Sequence, residues 1–306
     1  MKIAIALLLV LILNAHAVAI TIATGSAEGS YFKIAQDIKQ LVEKDGIPIE
    51  IIQTGGSFDN INLLGGGKVD LAIMQLDVLR FVAEVMLKET GINVLQETRV
   101  VLNLYLEEIH VIARDKNIHN LNQLQGKKVS VGPEKSGSAL TAEVLLAGFG
   151  VKIDAVFDAP EDAVKKLGQG DIDALIFIGG APVPAFRNLD NSFHFVAIPA
   201  DSGLEQIYPK KKIEKAVYSW ADEIETHAVP SVIMTRNRAE NDYASVLQKL
   251  VLAILVSKET LDLTGHPKWK DSFVRSIMGN AGYQPTNEII QIYNALDKNG
   301  YRIIKK

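Results

Sequence analysis

The chain has 306 residues, of which 48% are hydrophobic, a formal net charge of -4 and no cysteine. This length supports one large domain or two modest domains with substantial cores. The mild negative charge and the lack of a basic tract with interleaved aromatic residues argue against nucleic acid as a partner. The absence of cysteine excludes thiol catalysis, disulfides, cysteine-based zinc sites and a lipid anchor on cysteine.

Residues 1–17 are predicted to form a secretory signal peptide. Lys2 provides a short positive region, residues 3–13 are an unbroken apolar run, and Ala15 and Ala17 are small residues where signal peptidase cleaves. The apolar run is shorter than the roughly 20 residues that span a bilayer, which favours cleavage near Ala17 over an uncleaved anchor. We therefore expect a soluble, exported mature protein that begins near Val18 and does not span the membrane.

From residue 20 onward, apolar periodicity and glycine turns predict alternating strands and helices. Strands are predicted at 20–24, 47–53, 69–74 and 99–113, and helices at 30–44, 57–64 and 77–89. The last of these strands is long and carries Glu107 and Glu108 in its middle. A long strand with a polar interruption is typical of a chain that passes between two lobes.

A second pass of the same kind begins at Lys127. Strands are predicted at 128–131, 153–157 and 172–178, and helices at 139–149 and 160–167. In both passes a helix ends in a Gly-x-Gly segment, at residues 65–67 and 168–170, and an aliphatic residue and an aspartate follow. Such junctions also arise by chance in α/β proteins, but two in the same order favour two similarly built lobes.

The last third of the sequence contains a strand within 228–235 and helices at 243–257, 267–277 and 286–296, without a third glycine-turn pass. This pattern fits a tail that returns to complete the first lobe. We therefore expect a discontinuous lobe I formed by residues 18–108 and 228–306, and a lobe II formed by residues 109–227.

Three turns each follow a predicted strand and precede a predicted helix: Thr24–Tyr31, Thr54–Ser57 and Gly132–Ser138. Ligands of open α/β sheets bind at the carboxyl ends of strands, where such turns lie. Helix N-termini supply unpaired N–H groups that bind small anions. Each turn alone is most simply an ordinary turn with Ser or Thr as a helix cap. The set of three favours a cleft that binds a small anion.

Four further side chains near these turns have alternative interpretations. Gln75 follows the strand 69–74 and could bind a ligand amide or carboxylate, whereas Asp77 is more simply a helix cap. Glu28 fits equally well as the partner of a ligand ammonium group and as a solvated residue near a helix start. The ring of Tyr31 could lie along a ligand or pack into the core.

Motifs for catalysis are missing from the sequence. Gly132 and Gly137 have the spacing of a phosphate loop, but Ser138 and Ala139 stand where Lys and Ser or Thr are required. The histidines lack the spacing of a helical metal pair, and there is no Gly-x-Ser-x-Gly elbow. The adjacent acids Glu107 and Glu108 have no evident partner base. We therefore predict a binding protein with no catalytic residues, no metal site and no cofactor.

The motifs together resemble the TAXI-type solute receptors of tripartite ATP-independent periplasmic (TRAP) transporters. The matching stretches are residues 23–32, 53–60, 68–77, 126–138 and 173–180. The resemblance implies a type II-like periplasmic-binding-protein fold, in which each lobe is a mixed sheet flanked by helices and the ligand cleft lies between the lobes. It also implies a periplasmic receptor for a small organic acid or amino acid, with glutamate-like ligands favoured, and an ion-driven membrane permease as partner.

The turns, the strand ends and the resemblance together predict a set of ligand-binding residues. These are Thr24, Gly25, Ser26, Glu28, Ser30, Tyr31, Thr54, Gly55, Gly56, Ser57, Gln75, Ser136, Gly137, Ser138 and Gly179. Two alternative functions stay open. A binding protein of this kind could serve a sensor, and a secreted two-lobed enzyme could act on a small acid if its cleft held a nucleophile–base pair or a metal.

Overall fold

The computed structural model describes residues 19–237, 241–274, 276–277, 287–298 and 304–305. The predicted signal peptide lies outside these residues. Within the parts of the chain that the structure describes, none of the helices combines the length and the hydropathy required to span a membrane.

The first half of the chain alternates short strands with helices, as predicted. The elements are β1 (Ile20–Ala23), α1 (Ser30–Val42), β2 (Ile49–Ile52), α2 (Ser57–Gly65), β3 (Leu71–Gln75), α3 (Leu76–Thr90), α4 (Val94–Glu97) and β4 (Thr98–Ala113). Helix α1 buries Ile34, Ile38 and Val42, which are four residues apart and therefore lie on one face. A short 3-10 helix follows α1, and Gly46 ends it in a left-handed conformation that suits glycine.

The second half repeats this pattern and then adds a long return strand. Its elements are β5 (Lys128–Ser130), α5 (Gly137–Gly148), β6 (Asp154–Val156), α6 (Pro160–Gln169), β7 (Ala174–Gly179), β8 (His194–Phe195), α7 (Ser202–Ile207), β9 (Lys210–Ile213) and β10 (Ile224–Arg236). Proline at the first position of α6 is compatible with a helix start because the first N–H groups have no intrahelical partner.

The C-terminal part consists of α8 (Asn241–Val256), α9 (Lys258–Thr264), β11 (Ser276–Ile277), α10 (Asn287–Lys298) and β12 (Ile304–Lys305). The predicted helix at 267–277 is wrong, because a 3-10 helix covers only Pro267–Trp269 and β11 lies at the end of the range. Lys268 and Trp269 are both buried, and each is held by a separate tertiary partner. These contacts outweigh the local helical preference.

The main sheet has the strand order β2-β1-β3-β10-β4-β7-β5-β6, with β8 paired to β4 and β9 paired to β10. Strand β1 is parallel to both β2 and β3, and strand β5 is parallel to both β6 and β7. The two passes of the sequence therefore form the same three-stranded arrangement. The predicted α/β fold, with a mixed sheet flanked by helices in each of two lobes, is confirmed.

Among the described residues, four hydrophobic clusters cover the sheet, one on each face in each lobe, and the larger cluster of each lobe is described here. The core of the first lobe combines Ile22 of β1 and Ile34 of α1 with Leu250 of α8 and Leu261 of α9, so that the C-terminal helices pack on the first lobe. The larger cluster of the second lobe is formed around β5, α5 and β7, and the other lies around α6, Phe186 and Trp220. The exact lobe limits, 18–108 with 228–306 and 109–227, stay a prediction.

The long strands β4 and β10 run through both lobes. The first part of β4 pairs with β10, which in turn pairs with β3, whereas residues 108–113 of β4 pair with β7 of the second lobe. The pairing of β10 with β4 shifts register between Pro230 and Val232. At this level the Ser231 hydroxyl donates to the Tyr105 carbonyl oxygen at 2.8 Å. Two antiparallel crossing strands thus connect the lobes.

Candidate ligand-binding site

A cavity of about 230 Å³ lies between the lobes, where the turns at the carboxyl ends of the parallel strands meet. It is lined by the turns before α1, α2, α5 and α6, by the ends of β3 and β7, and by the middle of β4. Every predicted ligand-binding residue except Thr24 lines this cavity. The structure thus brings together residues that are far apart in the sequence.

Four helices begin at the cavity wall, at Ser30, Ser57, Gly137 and Pro160. The first turn of a helix leaves N–H groups without intrahelical partners and carries a partial positive charge. Gly56, which precedes α2, has a φ of 121°, a value that residues with a side chain rarely adopt. Four helix starts around one cavity give it a partial positive charge, which favours an anionic group.

Ser136 and Ser138, two of the predicted ligand-binding residues, hold the start of α5 in place through their hydroxyl groups. The Ser136 hydroxyl accepts a hydrogen bond from the Ala139 N–H at 3.2 Å and caps the helix. The Ser138 hydroxyl donates to the Ile178 carbonyl oxygen at 3.1 Å and accepts from the Ile178 N–H at 3.0 Å. Both side chains line the cavity, and their hydroxyl groups bond to the protein backbone.

In the first lobe, a buried polar network holds the turns before α1 and α2 in place. The side-chain amide of Asn60 donates to the carbonyl oxygens of Thr24 at 2.5 Å and Ile73 at 2.6 Å. The Thr54 hydroxyl lies 2.9 Å from the same Thr24 oxygen and accepts from the Gly56 N–H at 3.0 Å. Thr24 is fully buried behind the cavity wall. It therefore positions the turns, and Asn60, which the sequence analysis did not single out, does the same.

A group of buried polar side chains forms the floor of the cavity. The amide nitrogen of Gln75 donates to Glu107 Oε2 at 3.0 Å. Four other buried atoms in this group, Tyr31 Oη, Gln75 Oε1, Tyr105 Oη and Glu107 Oε1, make no hydrogen bond of ordinary geometry among the described residues, although the Tyr31 hydroxyl lies close enough to Glu107 to affect its pKa. Buried polar atoms are normally satisfied, so this concentration of free acceptors and hydroxyls in one cavity is typical of a ligand site.

The buried position of Glu107 changes the ionisation of its carboxyl group. Burial raises the pKa of Glu107 to about 8, and the nearby carboxyl groups of Asp77 and Glu108 act in the same direction. The hydroxyl of Tyr31 and the amide of Gln75 favour the ionised form and lower the pKa against this effect. The balance leaves a protonated carboxyl group facing the cavity at pH 7.

The neighbouring acid Glu108 has a different environment. Its carboxylate receives hydrogen bonds from Lys268 Nζ at 2.7 Å and from the Ala181 N–H at 2.8 Å. Both Glu108 and Lys268 are buried, so the two charges neutralise each other away from solvent. Successive side chains of a strand point to opposite faces, which explains why two adjacent glutamates have separate partners.

Of the other side chains considered in the sequence analysis, Glu28 lies at the cavity rim and Asp77 lies at the interface between the lobes. The Glu28 side chain is 75% exposed and lies 4.0 Å from Lys33 Nζ, in accordance with the solvated alternative. Asp77 lies in the first turn of α3, after the N-cap residue Gln75, and its Oδ1 atom accepts from the Val78 N–H at 2.8 Å, so it satisfies a donor of the helix start as predicted, from inside the helix. Its Oδ2 atom also accepts from Thr141 Oγ1 at 2.7 Å and from Tyr208 Oη at 2.9 Å, both in the second lobe.

The comparisons with known proteins agree with this architecture. Residues 22–261, well over half of the chain, match the sequence profile of the NMT1-like family. The chain belongs to the NMT1-like family. Within the described parts of this NMT1-like protein, no group of three or more His, Cys, Asp or Glu side chains is arranged to hold a metal ion.

Three solved structures resemble this NMT1-like protein. A structure described as a periplasmic transporter is 14% identical, with a TM-score of 0.54 and coverage of 93% of this chain and 98% of that chain. A putative sulfonate ABC transporter periplasmic sulfonate-binding protein from Methylobacillus flagellatus KT is 12% identical, with a TM-score of 0.47 and coverage of 94% and 79%. An ABC transporter periplasmic substrate-binding protein from Coxiella burnetii is 15% identical, with a TM-score of 0.46 and coverage of 83% and 98%. At 14% identity, the similarity to the first structure shows a shared fold and no shared function.

The sequence analysis missed several cavity residues, of which Tyr105 and Glu107 matter most. Both lie on β4, two residues apart, and therefore share one face of the strand. Glu107 was noted as a polar interruption in an apolar run and as an acid without an evident partner base, but not as a ligand-binding residue. An acidic residue in a run of otherwise buried strand residues was the available signal, but the sequence did not show which residues would face it.

Proposed function

We propose that this NMT1-like protein is a periplasmic solute receptor for a small carboxylate or amino acid, with glutamate-like compounds favoured. The ligand binds between the lobes, at the turn residues predicted from the sequence together with Tyr105 and Glu107. The observation that carries the proposal is the concentration of unpartnered buried polar atoms and helix N-termini around one cavity in a two-lobed fold. The cavity volume of about 230 Å³ suits a small metabolite.

In this proposal the protein binds the anionic group without a basic side chain. Backbone N–H groups at the four helix starts solvate the carboxylate, as neutral donors do in other anion sites. The ligand contacts both lobes and therefore favours their closed arrangement, in proportion to its higher affinity for that arrangement. Binding requires no chemical change in the ligand, so the proposed receptor is not an enzyme.

A thermal-shift screen of residues 18–306 tests the proposal. The protein is unfolded and refolded to remove carried ligand, then mixed with amino acids, dicarboxylates, keto acids and inorganic anions. A ligand at a hundred times its dissociation constant stabilises the fold by about 2.7 kcal/mol, which gives a measurable rise in melting temperature. Stabilisation confined to one class of small acids, with the ligand recovered unchanged, supports the receptor. No stabilisation by any acid, or conversion of the ligand, contradicts it.

We further propose that the receptor delivers its ligand to the membrane permease of a TRAP-type transporter. The support is the resemblance of the turn segments to TAXI-type receptors. Uptake of ligand into membrane vesicles of the source organism, with and without added receptor, distinguishes the partners. Uptake driven by an ion gradient and dependent on the receptor supports the TRAP assignment. Uptake that requires ATP contradicts it, and binding without any uptake favours a sensor partner.

A further inference from the structure

The second lobe ends in a strand with an open edge. Strand β6 is the last strand of the main sheet and pairs, among the described residues, only with β5. Its residues Asp154 and Ala155 are exposed, so no other described element covers that edge. An open edge presents a row of unpaired N–H and C=O groups, which can pair with a strand of another chain.

The backbone groups on this open edge belong to alternate residues. The Asp154 N–H donates to the Lys127 carbonyl oxygen at 2.8 Å, so the backbone of Asp154 faces β5. The backbone groups of successive residues in a strand point in opposite directions within the sheet. Those of Ile153, Ala155 and Phe157 therefore point away from β5, towards the open edge.

A groove of about 400 Å³ runs along the same edge. Its walls include Glu143, Leu146 and Ala147 of α5 and the side chains of Ile153, Ala155 and Phe157. The last three are the residues whose backbone groups point outward. Phe157 is 52% exposed, although a phenyl ring gains free energy when it is buried. The edge thus combines free hydrogen-bonding groups with exposed apolar surface.

The edge of β6 is complementary to itself. In an antiparallel pair of two β6 strands centred on Ala155, this residue lies opposite its own counterpart, and Ile153 lies opposite Phe157. All of these facing residues have outward backbone groups, as the hydrogen-bonded positions of an antiparallel pair require. The same register places Phe157 of each copy beside Ile153 of the other, at the groove. Asp154 lies opposite Val156, so two acids do not face each other directly.

The charges at the two ends of β6 fit the same register. Lys152 is exposed, and the register places it opposite Asp158 of a second copy, where opposite charges are stabilising. Asp158 Oδ1 pairs with Lys166 of its own chain, and its Oδ2 atom has no hydrogen-bond partner among the described residues. The edge strand of the first lobe, β2, lacks this complementarity, because residues 46–54 contain the acid Glu50 and no basic residue.

We propose that β6 pairs with β6 of a second copy of this chain, so that two copies form a two-fold symmetric dimer with one continuous sheet. The pairing uses the outward backbone groups of Ile153, Ala155 and Phe157, and it covers the two phenyl rings. The contact consists of a short strand and one groove on each copy. We therefore expect a reversible dimer with a dissociation constant in the micromolar range.

Sedimentation equilibrium of residues 18–306 tests the assembly. Between about 1 and about 300 µM protein, the average mass should rise from that of one copy towards that of two. Ala155→Glu should keep the protein monomeric, because two carboxylates would face each other at the centre of the pair. Ala155→Val, at the same exposed position, should retain or tighten the dimer, because it adds apolar surface without charge.

A charge reversal tests the ends of the pair. Lys152→Glu places an acid opposite Asp158 of the other copy at both ends, and we expect it to weaken association about tenfold. Lys249→Glu, an exposed residue of α8 in the first lobe, makes the same change in net charge and should leave association unchanged.

Cysteine cross-linking tests the register. The chain has no cysteine, so a single introduced residue reports on one position. Facing residues of a hydrogen-bonded pair have Cα atoms about 5.5 Å apart, within the range of a disulfide. Ala155→Cys should therefore form a disulfide-linked dimer under mild oxidation. Asp154→Cys, which is also exposed, should not, because its own counterpart lies on the diagonal at roughly 7–8 Å.

The outcomes separate this dimer from other arrangements. A wild-type protein that stays a single copy across the concentration range overturns the proposal, including the case in which a strand of a different protein pairs with this edge. A dimer that Ala155→Glu leaves intact, or equal cross-linking of both cysteine variants, shows a different contact and also overturns it. The wild-type measurement decides the question even if a variant does not fold. Ligand binding is measured separately, so failure of the dimer leaves the proposed receptor function standing.

Discussion

The ionisation state of Glu107 depends on the fold. In the unfolded chain this carboxyl group has an ordinary pKa near 4.5, and in the folded protein burial raises the pKa to about 8. Between these values the folded state holds a proton that the unfolded state has lost. The free energy of unfolding therefore decreases as the pH rises through this window, and it changes no further from this source above about pH 8.

We predict that Glu107→Gln removes this loss of stability. The side chains have the same shape, and the amide carries no charge at any pH, so the variant should gain stability over the wild-type protein as the pH rises from about 5 to about 8. Urea unfolding of the ligand-free proteins across this range measures the difference. His110, whose pKa burial lowers to about 4, destabilises both proteins equally in acid and cancels in the comparison. A constant difference between the two proteins would show that Glu107 is ionised in the fold.

At the scale of single residues, the sequence predicted the turn positions well and the floor of the cavity poorly. Gln75 was found because it directly follows a buried strand, and that position alone places it at the edge of the sheet. Glu107 could not be placed, because the side chains that surround it come from α1 and β3, which are distant in the sequence. The roles of Thr24 and Ser138 also depend on partners that only the folded chain brings close, namely the side-chain amide of Asn60 and the backbone of Ile178.

Helices α3 and α5 are joined across the lobes by the carboxyl group of Asp77. Its Oδ2 atom accepts from the Thr141 hydroxyl on α5 and from the Tyr208 hydroxyl beyond α7. Burial raises the pKa of Asp77, whereas the two hydroxyl donors lower it against this effect. Since these bonds exist only when the lobes are in contact, they stabilise the arrangement that encloses the cavity.

We predict that Thr141→Val weakens ligand binding about five- to tenfold without touching the ligand. Valine keeps the shape of the buried side chain but removes a hydrogen bond to a carboxyl group, a loss of about 1–1.5 kcal/mol. The dissociation constant and the melting temperature are measured for the variant and for Thr264→Val, whose exposed hydroxyl bonds only within its own helix. The control should match the wild-type protein. Unchanged affinity in Thr141→Val would mean that the bond does not contribute to closure.

At the scale of elements, the alternation of strands and helices was predictable from periodicity and glycine turns. The exceptions have physical causes. Strand β9 contains Lys210, Lys211 and Lys212 and has no apolar alternation, so its pairing with β10 depends on the partner strand. The segment after Gly265 is irregular because the Trp269 indole donates to Asp37 Oδ2 at 2.7 Å and ties it to α1. Such long-range contacts leave no periodic signal in the sequence.

The contact between the lobes depends on Gly137, whose lack of a side chain allows α5 to approach Gln75. We predict that Gly137→Ala strongly reduces ligand affinity, because the added carbon would lie 1.5 Å from Gln75 Oε1. Either the amide leaves Glu107 or the lobes stay apart. Small-angle scattering with saturating ligand should give a larger radius of gyration than for the wild-type protein. Gly148→Ala, in the same helix and with open space around it, is the matched control. A Gly137→Ala protein that binds and compacts normally would contradict this role.

The whole-molecule architecture was largely predictable because it is repeated. Two passes with the same order of strands, glycine turns and helices indicated two similar lobes, and the β2-β1-β3 and β6-β5-β7 arrangements confirm this. The relative placement of the lobes was not predictable, because it is set by contacts such as Asp77 with Thr141 and by the pairing of β4 with β10. Neither has a counterpart in local sequence.

Strands β4 and β10 connect the two lobes, so we expect a rotation of one lobe against the other to bend these strands where their pairing changes from the first lobe to the second. That level contains the register shift near Pro230 and the Ser231 hydroxyl, which bonds to the Tyr105 carbonyl oxygen. The Tyr105 side chain forms part of the cavity floor. A solute that contacts this ring therefore contacts the residue whose backbone is bonded at the register shift, so we expect ligand binding to act on the crossing strands directly.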